Sequence, residues 1–408
     1  MHLVVFLGLV FLSPGVTTWG RRNSHGLRKR GEEKSRDVMG PAQSNGFAFD
    51  LYRVLASADL SKNIFFSPLS VSMSLAMLSL GARSHTKTQI LHGLGFQLQE
   101  AQERELHRAF QKQLQELDLP SDNFQLSLGN ALFTDTTMNI QDAFLRAVKS
   151  LYLADIFPSD FKNDQAAKKQ INDYVANQTN GNIVDLIKRL DKKTIMVMVN
   201  YIFFKAKWKT SFNPEKTRQK DFHVSTKKVI QVPMMNKEDF YLFLQDSKLD
   251  CTVVGIPYQG NATALFVLPN KDSMKQVESG LNAKTLQKWL EMLRRRKFEI
   301  YLPRFSIEGS YELKNDLPKL GIREIFTSQA DLSGITSLPN IYVSEIVHKS
   351  MVEVDELGTT ASAATEIGVS FRSAWRHTPV IILDRPFLIL IVHDRTNSIL
   401  FLGKVNYP

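Results

Sequence analysis

The sequence predicts a mixed α+β fold, and two patterned segments together with the hydrophobic content carry that prediction. In residues 359–371, Thr359, Ala361, Ala363, Thr365, Ile367, Val369 and Phe371 alternate, as small or apolar residues, with Thr360, Ser362, Ala364, Glu366, Gly368 and Ser370. Period-2 alternation marks a strand with one face against a core. The second segment starts at Asn282, a residue type that caps helices, and sets Leu286, Trp289, Leu290 and Leu293 at helical spacing. The chain has 408 residues, 43% of them hydrophobic, enough to bury a large core. No internal repeat or long Gly/Ser/Pro linker breaks it after residue 47, so residues 47–408 are expected to form one domain.

The strand-like segment conflicts with its C-terminal neighbours. Arg372-Ser373, then Ala374, Trp375, Arg376, His377 and Thr378, reads as an exposed loop that a trypsin-like protease would cut. A segment patterned both for burial and for cleavage is built for two states.

The flanking motifs carry a family resemblance. Glu356, Gly358, Thr359, Thr360 and the run Ala361-Ser362-Ala363-Ala364-Thr365 resemble the hinge of an inhibitory serpin's reactive loop. Arg372 stands where such a loop has the residue before the scissile bond. Val347-His348-Lys349 and Val352-Glu353-Val354-Asp355-Glu356 resemble the strand that feeds the loop, and Asp384-Arg385-Pro386-Phe387 and residues 399–405 resemble the closing strands. Residues 63–70, 200–208 and 330–335 match further family motifs in the same order. The chain therefore resembles the serpin family from about residue 47 to its end. That resemblance implies a large mixed central β-sheet with additional sheets, about nine helices, and an exposed reactive loop near the C-terminus. It also implies that Ser67, Ser70, Asn200 and His348 form a polar cluster beneath the main sheet, where strands part when the loop inserts. Ordinary hydrogen-bond satisfaction in a core explains the same cluster, and the two readings are compatible.

By resemblance, the function is suicide-type inhibition of serine proteases. The protease attacks the Arg372 carbonyl and releases the amine of Ser373, and the freed loop inserts into the sheet before the acyl-enzyme hydrolyses. Arg372 directs the chain to trypsin-like enzymes, whose specificity pocket ends in a buried Asp, and Phe371 tunes the adjoining pocket. The implied partners are activated protein C, thrombin, kallikreins, plasminogen activators and acrosin. The contrasting expectation is a non-inhibitory serpin acting as a carrier of small apolar ligands or as a chaperone; such relatives usually lose the small-residue hinge that is intact here. Catalysis by the chain itself is not expected, because neither a Gly-x-Ser-x-Gly elbow nor a His-Glu-x-x-His motif is present.

The net charge of +10 resides in two segments. Residues 21–36 hold seven basic residues against two acidic ones, and residues 284–297 hold six (Lys284, Lys288, Arg294, Arg295, Arg296, Lys297) against Glu291. Each segment is net +5, so the remainder is neutral. Localised basicity attracts polyanions. The second segment reads as one amphipathic helix with Arg294, Arg296 and Lys297 at its C-terminal end, and the resemblance implies relatives that bind heparin through a basic helix at this point in the chain. Heparin or another glycosaminoglycan is thus the expected modulator, with anionic phospholipid as a further partner and no other cofactor or metal. Nucleic acid is not expected, since no aromatic residues are arranged for base stacking.

Residues 1–20 hold an apolar run from Leu3 to Leu12 followed by Ser13, Pro14 and Gly15, which predicts a secretory signal and an extracellular protein. A basic tail, residues 21–46, would follow it. The sequons at Asn177 and Asn261 are candidate glycan sites. Cys251 is the single cysteine, so no internal disulfide forms, and it reads as a small buried hydrophobe.

Overall fold

Residues 45–117, 124–358 and 378–408 are described by the structure, a computed structural model. The expected signal segment and basic tail up to residue 44, and the segment 359–377, lie outside them.

Helices α1 (Asn45–Ala58), α2 (Pro68–Gly81), α3 (Ser84–Gly93) and α4 (Glu100–Leu117) open the described chain, with strand β1 (Ile64–Phe66) between the first two. Strand β2 (Phe124–Asp135), helix α5 (Asp142–Tyr152), strand β3 (Asp155–Ser159), helix α6 (Asp164–Gln178) and strand β4 (Met196–Ala206) follow. Next come strands β5 (Arg218–Ser225), β6 (Lys228–Asp246), β7 (Cys251–Pro257) and β8 (Ala262–Pro269), then helices α7 (Met274–Gly280) and α8 (Ala283–Met292). Strands β9 (Arg294–Pro303), β10 (Phe305–Glu312), β11 (Glu345–Val354), β12 (Val380–Ile382), β13 (Phe387–His393) and β14 (Ile399–Val405) complete the chain. The α+β class is as expected, with eight α-helices and several 3-10 turns among the described residues.

Five strands in the order β10-β11-β4-β2-β3 form a mixed sheet. Its β11–β4 and β2–β3 neighbours are parallel, whereas β10–β11 and β4–β2 are antiparallel. A second sheet runs β1-β14-β13-β8-β7-β6-β9-β12, with β5 also pairing β6. Strand β1 pairs β14 in the register Ile64↔Lys404 to Phe66↔Leu402, so the two ends of the described chain meet inside one sheet.

Both faces of the central strand β4 are buried, and the alternation along it shows how. Met196, Met198, Ile202 and Phe204 join the main core, while Val197, Val199, Tyr201 and Phe203 join a second core with Ala167, Ile171 and Val175 of α6. A residue's parity thus decides its core. On the main-core side lies α2, which starts at Ser67 with Pro68 in its first turn and buries every residue except Leu80. A helix apolar all round belongs in a protein interior. Its serines are the exception to that polarity, and two of them, Ser70 and Ser74, reach Asn200 and Asn130 of the sheet.

Candidate functional site

The polar cluster assembles where α2 meets the parallel seam between β4 and β11. By alternation Asn200 falls on the same face of β4 as Met198 and Ile202, and His348 falls beside it on β11, in register with it. The Ser67 backbone N–H donates to His348 Nε2 at 3.0 Å, which leaves the ring proton on Nδ1, and Nδ1 donates to Asn200 Oδ1 at 2.5 Å. Ser70 Oγ donates to the same Oδ1 at 2.7 Å. The Asn200 amide N–H donates to Asn130 Oδ1 at 2.7 Å, and that oxygen also accepts from Ser74 Oγ at 2.6 Å. Burial pushes the His348 imidazole down to about 3, so it is neutral at physiological pH. All four residues expected in this cluster are brought together; Asn130 and Ser74 belong to it as well and went unforeseen. Their bonds span 56 to 70 residues of sequence, and no local pattern announces them.

At the end of β11 the chain is clamped by the segment after β4. The Trp208 indole N–H donates to the Asp355 carbonyl and its backbone N–H to the Leu357 carbonyl, both at 2.9 Å, and the Phe212 N–H donates to the Glu356 carbonyl at 2.6 Å. The Trp208 ring stacks on Tyr258 with centroids 4.3 Å apart. Glu356, expected as a hinge residue, is buried and accepts from Thr217 Oγ1 at 2.6 Å, with Arg304 at 3.9 Å. Gly358 has φ +109°, and a Cβ there would lie 2.3 Å from the Trp208 nitrogen, so only glycine fits. Backbone bonds in both directions between Asp355 and Gly358 turn the chain back on itself. Thr359, Thr360, Ala361, Ser362, Ala363, Ala364, Thr365, Phe371, Arg372 and Ser373 lie beyond this turn, outside the described residues.

The basic segment differs from the expected single helix. Asn282 caps α8 as foreseen, its Oδ1 accepting from the Thr285 N–H at 3.0 Å, but the helix stops at Met292 and Leu293 is extended. Arg294, Arg295, Arg296 and Lys297 instead begin β9, opposite Phe243, Leu242, Tyr241 and Phe240 of β6. The correction has a physical cause: Phe298, Ile300 and Leu302 are buried at period 2, and ladder bonds to β6 outweigh the weak helix preference of an Arg/Lys run. All six basic side chains are exposed. Lys288 lies 3.3 Å from Asp246, which also accepts from Trp289 Nε1 at 2.8 Å.

Asn177 is exposed on α6, and Asn261 is exposed at the β7–β8 turn. Cys251 is buried and free, and burial pushes its thiol up to about 12, as a buried hydrophobe requires. No described helix is long and apolar enough to cross a membrane.

The two-sheet architecture, the parallel seam with its polar cluster and the clamped turn at Gly358 define the class. The chain belongs to the serpin family: a family model described as Serpin (serine protease inhibitor) matches residues 42–408. It is 57% identical to human plasma serine protease inhibitor over the full length of both chains. Among solved structures it resembles human thyroxine-binding globulin complexed with thyroxine (TM-score 0.85, 41% identity, 90% of this chain and 98% of that one). Human glycosylated kallistatin is similar to the same degree (TM-score 0.85, 41% identity, 91% and 98% covered).

Proposed function

We propose that the chain is a secreted suicide inhibitor of trypsin-like serine proteases, cleaved between Arg372 and Ser373. The observation that carries this reading is the β11–β4 seam. These two strands run the same way, and β11 ends at the turn Asp355–Gly358, a reversal from which an inserted strand would run antiparallel to both. A strand entering between them exchanges one parallel ladder for two antiparallel ones, the slightly more stable pairing per residue. The alternation of residues 359–371 supplies that strand, with small side chains at Thr359, Ala361 and Ala363 where entry begins. Once the acyl-enzyme forms at Arg372, insertion carries the protease away before deacylation, as the relatives' name, serine protease inhibitor, suggests.

Arg372 sets the enzyme class through its pairing with a pocket Asp. Activated protein C, thrombin, kallikreins, plasminogen activators and acrosin are the proteases to test. Exposed Lys284, Lys288, Arg294, Arg295, Arg296 and Lys297 support a glycosaminoglycan site. A carrier role, suggested by the likeness to thyroxine-binding globulin, is disfavoured by the intact small-residue run at 361–364.

The test is to mix the protein with trypsin and with Arg-specific plasma proteases. A covalent complex that survives denaturant is expected, and Arg372→Ala removes it. Cleavage with no trapped complex would favour the carrier reading.

A further inference from the structure

Lys297 ties the basic surface to the returning end of the reactive segment. Its Nζ lies 2.5 Å from Glu238 Oε1, and the same oxygen accepts from Thr378 Oγ1 at 3.2 Å. Thr378 is the first residue described after the segment that contains Arg372. Immediately beyond it the Pro379 carbonyl accepts from the Glu299 N–H at 3.0 Å, and Val380 pairs with Glu299 as β12 joins β9.

Charge explains why a lysine is needed at this junction. In the β6–β9 ladder Glu238 stands directly opposite Glu299, so two carboxylates share one face. Like charges in that position destabilise an antiparallel pair. Asn236 Nδ2 and the Tyr301 hydroxyl donate to Glu299 Oε1 at 2.9 and 3.0 Å, and neither carries charge. Lys297, two residues along the same strand face, supplies the positive charge, and Lys216 adds to it from farther away. The hydrogen bond from Lys297 is the main reason the Glu238 carboxyl sits below its ordinary range.

Building on the polyanion reading, we propose that Glu238 is a relay between the basic surface and the reactive segment. A sulfated polyanion that takes Lys297 competes with Glu238 for it and leaves the Glu238–Glu299 repulsion uncompensated. The anchor at Thr378–Val380 then loosens, and a trypsin-like protease is inhibited faster. Lys297 and Glu238 are 53% and 44% exposed, so the effect has the size of a surface ion pair, about two- to five-fold.

The full-length protein is titrated with a heparin-derived hexasaccharide, too short to bridge inhibitor and protease, at low salt. Binding and the rate of trypsin inhibition are both measured. In the parent, the hexasaccharide is expected to raise the rate about two- to five-fold. In Glu238→Gln, which has no carboxylate to repel Glu299, binding tightens by about the same factor, the rate stays at the parent's unliganded value and the hexasaccharide adds nothing further. Thr378→Val should be fast from the outset while binding the hexasaccharide as the parent does. If the parent binds it with no change in rate, or if Glu238→Gln binds no tighter than the parent, the relay is wrong and the polyanion reading stands. If the parent fails to bind it at all, both fall.

Discussion

Burying a histidine in neutral form makes the seam sensitive to acid. His348 binds its proton with a folded-state pKa of about 3 against 6.5 as the ordinary value, so between those two pH values the unfolded chain holds more protons than the folded one. The contribution of this group is therefore complete above pH 6.5 and is lost as pH falls toward 3, by about 1.4 kcal/mol per pH unit. Urea midpoints at pH 7 and pH 5 should differ accordingly, and His348→Gln, weaker at pH 7, should show a flatter dependence. Equal slopes in parent and variant would remove the histidine from the account. Gly358 gives a second expectation at this scale. Because an added Cβ meets backbone at Ala206–Trp208 and φ is positive, Gly358→Ala should lower stability by about 1 to 3 kcal/mol, read from the same midpoint.

At the scale of elements, the proposed inhibition turns on the entry of a strand between β4 and β11. A proline in the leading part of that strand has no N–H for the ladder, and a charge there is buried without a partner. Ala361→Pro and Thr359→Arg are therefore expected to turn inhibitor into substrate, with cleavage at Arg372 retained and the stable complex lost. A full yield of complex from the proline variant would rule out insertion. The expectation of this element is local, because period-2 alternation and the cleavable arginine both lie within fifteen residues. The sequence also shows where α8 begins, since a cap is a local device. It conceals where α8 ends: the Arg294–Lys297 run carries no glycine or proline stop, and the competing partner, residues 240–243 of β6, lies about fifty residues earlier. The same remoteness hides Asn130 from the seam cluster, and Trp208, Thr217 and Arg304 from the clamp on Glu356.

For the whole molecule, the proposed mechanism satisfies the pattern of residues 359–371 as a strand only after insertion, so under it the uncut protein holds stability in reserve. Cutting at Arg372 should raise the melting temperature far more than a loop nick does, and an unchanged value would argue for a carrier. The pairing of β1 with β14 has another consequence, which concerns synthesis. Ile64 cannot find Lys404 until residue 404 has been made, so a chain growing at about 5 to 20 residues per second waits roughly 17 to 68 s with this sheet incomplete. For nearly all of that interval β1 lacks β14, and β8, once made, lacks β13. The fold is thus decided late, after the seam strands already exist, when the alternative of a prematurely filled sheet is also within reach.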